Sequence, residues 1–117
     1  MNKVVYNTCY GGFSISLTAM KWLAENGRDE IKAIAAKYLR KSPNEPYGFH
    51  CNDIPRHDPD LVRCVETLGD EAGGRVACLE VRELKGNRYR IEEYDGQEEI
   101  YEPGDENYIT IESNCNP

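Results

Sequence analysis

The sequence predicts an α+β fold, in which an N-terminal strand and three helices are followed by an antiparallel meander of about four strands. Helical periodicity in the first 70 residues and a period of two after Gly73-Gly74 predict these two halves. We expect the helices to cover one face of the sheet. At 117 residues the chain has the length of one domain, so residues 1–117 are expected to share one core.

The chain is predicted to begin with a buried strand and a short helix. Lys3 to Thr8 contains the apolar run of the strand. The helix should extend from about residue 17 to residue 26, with Ser14 or Ser16 as its N-cap. Gly27 follows at the position where helices commonly end.

Two further helices are predicted on either side of a long loop. The second helix spans about residues 29–41, because its apolar side chains recur at helical spacing. Residues 42–57 carry three prolines, and loops of this length are often functional. The third helix starts at Asp58-Pro59, an N-cap followed by proline at the first helical position, and it ends at Gly69.

The last third of the chain is predicted to form the meander. Alternation of apolar and polar residues indicates a strand over about 77–82 and another over 88–94. Asp95-Gly96 is typical of a two-residue hairpin turn, and a third strand follows over 98–102. A fourth strand is predicted over 108–111. Open edges in such a sheet favour pairing between protomers, so we expect a homo-oligomer.

The charge distribution argues against generic nucleic-acid binding. The net charge is -7, and residues 91–117 contain nine acidic residues and no lysine or arginine. The remaining residues carry 14 basic and 12 acidic side chains, an excess of only +2. A nucleic-acid-binding domain usually has a strongly basic surface. Binding of one small anion remains compatible with this distribution.

The cysteine pattern and the hydropathy predict a protein of the cytoplasm. Five cysteines at irregular spacing include no C-x-x-C pair, so reduced thiols are expected. No apolar run approaches the roughly 18 residues that a membrane helix needs, and no export signal is visible at the N-terminus.

The segment C-Y-G-G-F-S at residues 9–14 is the strongest candidate for a binding site. It lies between a strand and a helix, where glycines allow a ligand to approach amide groups that the helix leaves free. Arginine can bind phosphate through two parallel hydrogen bonds, and aromatic rings can stack on a base. The same segment could also be a plain tight turn. The predicted ligand-binding residues are Gly11, Gly12, Phe13, Ser14, Ser16, Arg56, Arg90 and Tyr94.

Two other kinds of site are weaker alternatives. His50, Cys51, His57 and Cys64 could form a zinc site or a small histidine-dependent hydrolase, but their spacing matches no metal-binding pattern. We therefore predict no catalytic residue, no metal and no cofactor. The acidic residues of the last third could instead dock on a basic partner protein, or they could simply be solvated.

Three short blocks resemble a group of small phage and prophage proteins. These blocks are Y-G-G-F-S at Tyr10 to Ser14, D-P-x-L-V at Asp58 to Val62, and I-E-E-Y-D-G at Ile91 to Gly96. They occur in the same order as in that group and span most of the chain.

The resemblance implies a non-enzymatic viral protein of the host cytoplasm. Some phage anti-defence proteins of comparable size, the anti-Thoeris sponges, form oligomers and trap cyclic ADP-ribose isomers. A similar protein would sequester a nucleotide-derived immune signal, either a cyclic nucleotide or such an isomer. The alternatives are an acidic protein that blocks a basic host defence protein, or the histidine-dependent hydrolase.

Overall fold

The structure is a computed structural model that describes residues 2–103. One strand is followed by three α-helices, a short 3-10 helix and three further strands. In chain order the elements are β1 Lys3–Asn7, α1 Leu17–Asn26, α2 Asp29–Lys41, α3 Pro59–Leu68, the 3-10 helix Gly69–Glu71, β2 Leu79–Glu83, β3 Arg90–Tyr94 and β4 Gln97–Tyr101.

The strands form two separate antiparallel pairs, so the predicted four-stranded meander is wrong. β1 pairs with β2, with Val5 opposite Val81. β3 pairs with β4, with Ile91 opposite Ile100. The predicted strand over 108–111 lies outside the described residues.

Burial on both faces of β1 explains the different pairing. Val4 and Val5 point to opposite faces and are both completely buried, so β1 has to lie inside the molecule. It packs against the helices on one face, through Val5, and against the hairpin of β3 and β4 on the other, through Val4 and Ile100. β2 therefore pairs with this central strand and not with β3.

Local capping explains where two of the helices begin. Ser16 caps α1, because its side-chain oxygen accepts a hydrogen bond from Ala19 N at 3.0 Å. Asp58 caps α3 by accepting from the amides of Asp60 and Leu61, and Pro59 occupies the first helical position. The helices enclose the main core, whose completely buried members include Met20, Leu23, Ala35 and Cys64. None of the helices within residues 2–103 is long and apolar enough to span a bilayer.

A buried ion pair attaches the hairpin to the body. Both terminal nitrogens of Arg56 donate hydrogen bonds to the Glu98 carboxylate, at 2.7 and 2.8 Å. Glu98 also accepts the backbone amide of Asn7 at 2.9 Å. The completely buried Asn7 side chain donates to the carbonyls of Cys9 and Gly96. Together with the hydrogen bond from Val5 N to Arg56 O at 2.9 Å, the bond from Asn7 N to Glu98 satisfies amides on the edge of β1 that faces away from β2.

A disulfide joins Cys9 to Cys78, so the expectation of reduced thiols is wrong for these two residues. Their Cα atoms are 5.4 Å apart, within the usual range for a disulfide. The strand pairing causes this approach, because Asn7 lies opposite Leu79 and the two cysteines flank that pair. Cys51 and Cys64 are free and buried.

Candidate functional site

An open cleft of about 400 Å³ lies at the N-terminus of α1. Three segments that are distant in sequence enclose it: the start of α1, the loop before Phe49, and the segment after the 3-10 helix. We call this site the glycine cleft. Its described lining residues are Ser16, Leu17, Thr18, Glu45, Pro46, Gly48, Gly73, Gly74 and Arg75.

The start of α1 gives the cleft a positive end. The Ser16 hydroxyl caps Ala19 N and also donates to Glu71 O at 2.6 Å. The amides of Leu17 and Thr18, which precede Ala19 in the first turn, have no partner within the helix. The helix dipole adds about half a positive charge at this end. A bound anion would therefore meet two amide donors and a favourable field.

Glycines form a wall that side chains could not occupy. Gly48 has a φ of +107°, a conformation that other residues rarely adopt. A Cβ on Gly74 would lie 2.2 Å from Ser14 Oγ and 2.6 Å from Tyr47 O. The loops therefore approach closely and leave bare backbone facing the cleft.

Ser14 lies directly behind this wall and contains an unsatisfied polar atom. The residue is 2% exposed, and within residues 2–103 its hydroxyl has no hydrogen-bond partner. A Cβ on Gly48 would lie 3.0 Å from the same oxygen, so the hydroxyl points at the glycine wall. Buried hydroxyls are nearly always paired, which makes this one an exception at the cleft.

Arg75 supplies a cation at the rim. Its backbone amide donates to Tyr47 O at 3.0 Å, which joins the two loops. Its guanidinium lies 5.2 Å from the centre of the Tyr47 ring, a cation–π contact that places the charge. No carboxylate of residues 2–103 lies within ion-pair distance of Arg75, and the Tyr47 ring is 60% exposed.

The predicted glycine turn is used for packing within the protein. A Cβ on Gly11 would lie 2.2 Å from Val76 O, so the chain itself fills this space. A Cβ on Gly96, at the hairpin tip, would lie 2.3 Å from Tyr10 O and 2.5 Å from Gly12 N. The hairpin tip therefore covers the turn from one side, and Val76 covers it from another.

The structure brings Phe13 and Arg56 together, but their side chains contact each other. The Arg56 guanidinium lies 3.5 Å from the centre of the Phe13 ring, and Glu98 occupies its nitrogens. A base stacked on that face of Phe13, or a phosphate on Arg56, would have to displace these contacts.

The remaining predicted ligand-binding residues lie in two places. Ser16 lines the glycine cleft and Ser14 lies behind its wall. Arg90 and Tyr94 lie on β3, where Arg90 pairs with Glu92 and Tyr94 is 78% exposed. The structure therefore does not gather the eight predicted residues around one cavity.

His50, His57, Cys51 and Cys64 lie outside the cleft. His50 Nδ1 lies 3.1 Å from Phe13 O, and His57 Nδ1 lies 2.8 Å from the Tyr89 hydroxyl. Burial raises the pKa of the Cys64 thiol to about 12, so this thiol stays protonated and unreactive. Within the described part of the chain, no three His, Cys, Asp or Glu side chains are grouped to hold a metal ion.

The acidic residues of the hairpin divide into buried and exposed groups. Glu98 binds Arg56, and Glu102 accepts the backbone amides of Lys85 and Gly86. Both are at least 93% buried. The carboxylates of Glu92, Glu93, Asp95 and Glu99 are exposed, and Glu92 and Glu99 lie on the same face of the hairpin as Tyr94.

Most of the glycine cleft was missed by the sequence analysis. The sequence indicates only a break at Gly73-Gly74, and it predicts that residues 42–57 form a long loop of a kind that is often functional, without identifying Glu45 or Gly48. The usable signal is the pair of dipeptides Tyr47-Gly48 and Gly74-Arg75, each combining a glycine with a side chain suited to an anionic aromatic ligand.

No protein-family model, curated protein sequence or solved structure matches the chain.

Proposed function

We propose that the protein binds a phosphate-bearing nucleotide in the glycine cleft and holds it without chemical change. The observation that carries this proposal is the convergence of the first-turn amides of α1, the glycine wall and Arg75 on one cavity of about 400 Å³. Helix N-termini combined with glycine backbone are a recurring arrangement for phosphate recognition. The volume lies within the range of small-ligand sites, about 300–1,000 Å³.

Tyr47 and Arg75 favour a nucleotide over inorganic phosphate as the ligand. The guanidinium can form charge-assisted hydrogen bonds to phosphate oxygens. The neighbouring Tyr47 ring is exposed enough to stack on a base. Both side chains are linked through the backbone hydrogen bond between their loops, so they can act on one ligand.

The lining residues favour binding without catalysis. The described lining contains neither histidine nor cysteine, and the Ser16 hydroxyl is engaged in capping α1. A nucleophile hydrogen-bonded to a base, the usual arrangement for covalent catalysis, is not formed by these residues. Sequestration of a nucleotide signal in the host cytoplasm, the anti-defence role implied by the resemblance to small phage proteins, would need no more than this.

Calorimetry tests the proposal. We expect micromolar binding of at least one member of a panel of adenosine monophosphate, cyclic nucleotides and cyclic ADP-ribose isomers, and recovery of unchanged ligand after heat denaturation. Arg75→Ala should weaken binding at least about tenfold, because it removes a charge-assisted contact. Arg88→Ala is the matched control, since Arg88 is exposed and does not line the cleft. No binding across the panel, or conversion of the ligand, would refute the proposal.

A homo-oligomer is the second part of the proposal. Within residues 2–103, β3 pairs with β4 alone, so its other edge has no strand partner there. Edges of this kind often pair with a second copy. Native mass spectrometry of the purified protein reports subunit number and any co-purified nucleotide together, and a monomer at micromolar concentration would contradict this part.

Docking of the acidic hairpin on a basic partner is the second candidate function. It is favoured by Tyr94, which is 78% exposed among the carboxylates of Glu92, Glu93 and Glu99. Reversing the charge of these three residues tests it. Charge reversal at Glu98 or Glu102 does not, because both carboxylates bind groups inside the protein.

A further inference from the structure

Glu45 is a carboxylate in a cleft that otherwise attracts anions. It lines the glycine cleft together with Arg75, yet the two side chains form no ion pair. A carboxylate repels phosphate, so it cannot belong to the phosphate-binding part of the site. The cleft lining therefore has two chemically different parts, one suited to an anion and one suited to hydrogen-bond donors.

Two long hydrogen bonds restrain Glu45. One carboxylate oxygen, Oε2, accepts the backbone amide of Tyr47 at 3.3 Å. Its own backbone amide donates to Ser42 O at 3.4 Å. The side chain is half-buried, and its second oxygen, Oε1, takes no part in the hydrogen bond to Tyr47. A carboxylate oxygen held in this way is suited to accept hydrogen bonds from neighbouring hydroxyl groups.

We infer that Glu45 recognises the ribose diol of the bound nucleotide and so selects ribonucleotides over deoxyribonucleotides. This inference rests on the proposed function, because it assigns the second part of the same cleft lining. The phosphate would lie at the amides of Leu17 and Thr18 beside Arg75, and the 2′- and 3′-hydroxyls would donate to the Glu45 carboxylate. Acidic side chains recognise ribose hydroxyls in the same way in dinucleotide-binding folds.

The test compares two nucleotides that differ only at the sugar. Adenosine 5′-monophosphate and its 2′,3′-dideoxy analogue are titrated into the full chain by calorimetry, with inorganic phosphate as a third probe. We expect the ribonucleotide to bind at least about tenfold more tightly, since hydrogen bonds to charged groups have this effect. Glu45→Ala should remove this preference by weakening only the ribonucleotide. Glu25→Ala is the control, because Glu25 is an exposed acid outside the cleft.

The possible outcomes separate this inference from the proposed function. Equal affinity of the wild-type protein for both nucleotides, or a preference that survives Glu45→Ala, would overturn the assignment of Glu45 while leaving phosphate binding intact. Absence of binding by both nucleotides and by inorganic phosphate would overturn the assignment of Glu45, and the proposed function would fall as well only if no other nucleotide of its panel bound. Glu45→Gln keeps an acceptor for the Tyr47 amide and shows whether the loop folds normally, and it should retain part of the ribose preference.

Discussion

Two glycine-rich regions of the protein have similar sequences and different surroundings. In the N-terminal turn, residues 9–13, the backbone of Gly11 lies under Val76 and that of Gly12 lies beside the hairpin tip. In the glycine cleft, Gly48, Gly73 and Gly74 line an open cavity next to the start of α1. In both regions atoms of the protein occupy the Cβ position of at least one glycine, but only the second region also borders the open cleft.

The comparison shows that a glycine permits close approach to its backbone but does not determine which group makes that contact. A missing side chain removes a steric barrier in both regions. At the N-terminal turn the disulfide, Asn7 and the Arg56–Glu98 pair bring other parts of the chain against the backbone. We therefore expect changes near the turn to alter stability and changes in the cleft to alter binding.

The largest effect is expected from removing Glu98. Glu98→Ala leaves the Arg56 guanidinium and the Asn7 amide without their acceptor, and breaking such a buried pair costs about 4 kcal/mol. Urea unfolding followed by circular dichroism measures the change. Glu99→Ala is the matched control, because the neighbouring carboxylate is exposed and should change stability by less than about 0.5 kcal/mol.

This substitution also tests the division between the two regions. The fraction of Glu98→Ala protein that remains folded should bind nucleotide with the affinity of the wild type, because Glu98 does not line the cleft. A large loss of affinity in folded protein would show that the two regions are coupled.

The disulfide is expected to have the next largest effect. Its cysteines are 69 residues apart, and disulfides typically stabilise a domain by about 2–4 kcal/mol. Replacing both Cys9 and Cys78 with serine should lower the free energy of unfolding by this amount. Hydrogen bonds from Thr8 N to Cys78 O and from Cys78 N to Asn7 Oδ1 remain, so the native pairing should persist.

A reducing agent provides an independent measurement of the same bond. Dithiothreitol should destabilise the wild-type protein by a similar amount and leave the double serine variant unchanged. An equal response of both proteins would assign the effect to something other than the Cys9–Cys78 bond.

The parts of the fold set by local chemistry were the predictable ones. The bounds of α1, α2 and α3 agree with the sequence analysis because helical periodicity, the Ser16 cap and Asp58-Pro59 act within a few residues. The pairing of β1 with β2 was not predicted, since it joins segments more than 70 residues apart and follows from the burial of β1 on both faces.

The same reasoning explains the outcome for the candidate site. Ser16 was identified because a helix N-cap has a local sequence pattern. Arg75 and Glu45 were not, because their relation to α1 depends on how distant loops fold around it. Gly11 and Gly12 were predicted to bind a ligand because they lie between a strand and a helix. That sequence context contains no information about Val76 or the hairpin tip.

Alanine substitutions at the two glycines of the N-terminal turn should differ from each other. Gly11→Ala places a methyl group against the Val76 backbone, and overpacking of this kind costs about 2 kcal/mol. Gly12→Ala meets no neighbouring atom and is strained only by a φ of +93°, which costs about 1 kcal/mol. Thermal and urea unfolding would rank them, and the reverse order would contradict the packing of Val76 on Gly11. Neither variant should change nucleotide affinity if the cleft is the binding site.

The last prediction concerns acid, and it locates stability in the helical body away from both glycine regions. Hydrogen bonds from Arg28 and Arg63 outweigh the effect of burial and lower the pKa of Asp60 to about 2, below its usual value. The unfolded chain takes up this proton at higher pH, so Asp60 contributes its full stabilisation above about pH 5 and loses it as the pH falls from about 4 toward 2. Urea unfolding of the wild type and Asp60→Asn between pH 7 and pH 2 should give curves that converge at the acid end. A constant difference between the two proteins would show that Asp60 acts through packing and not through its charge.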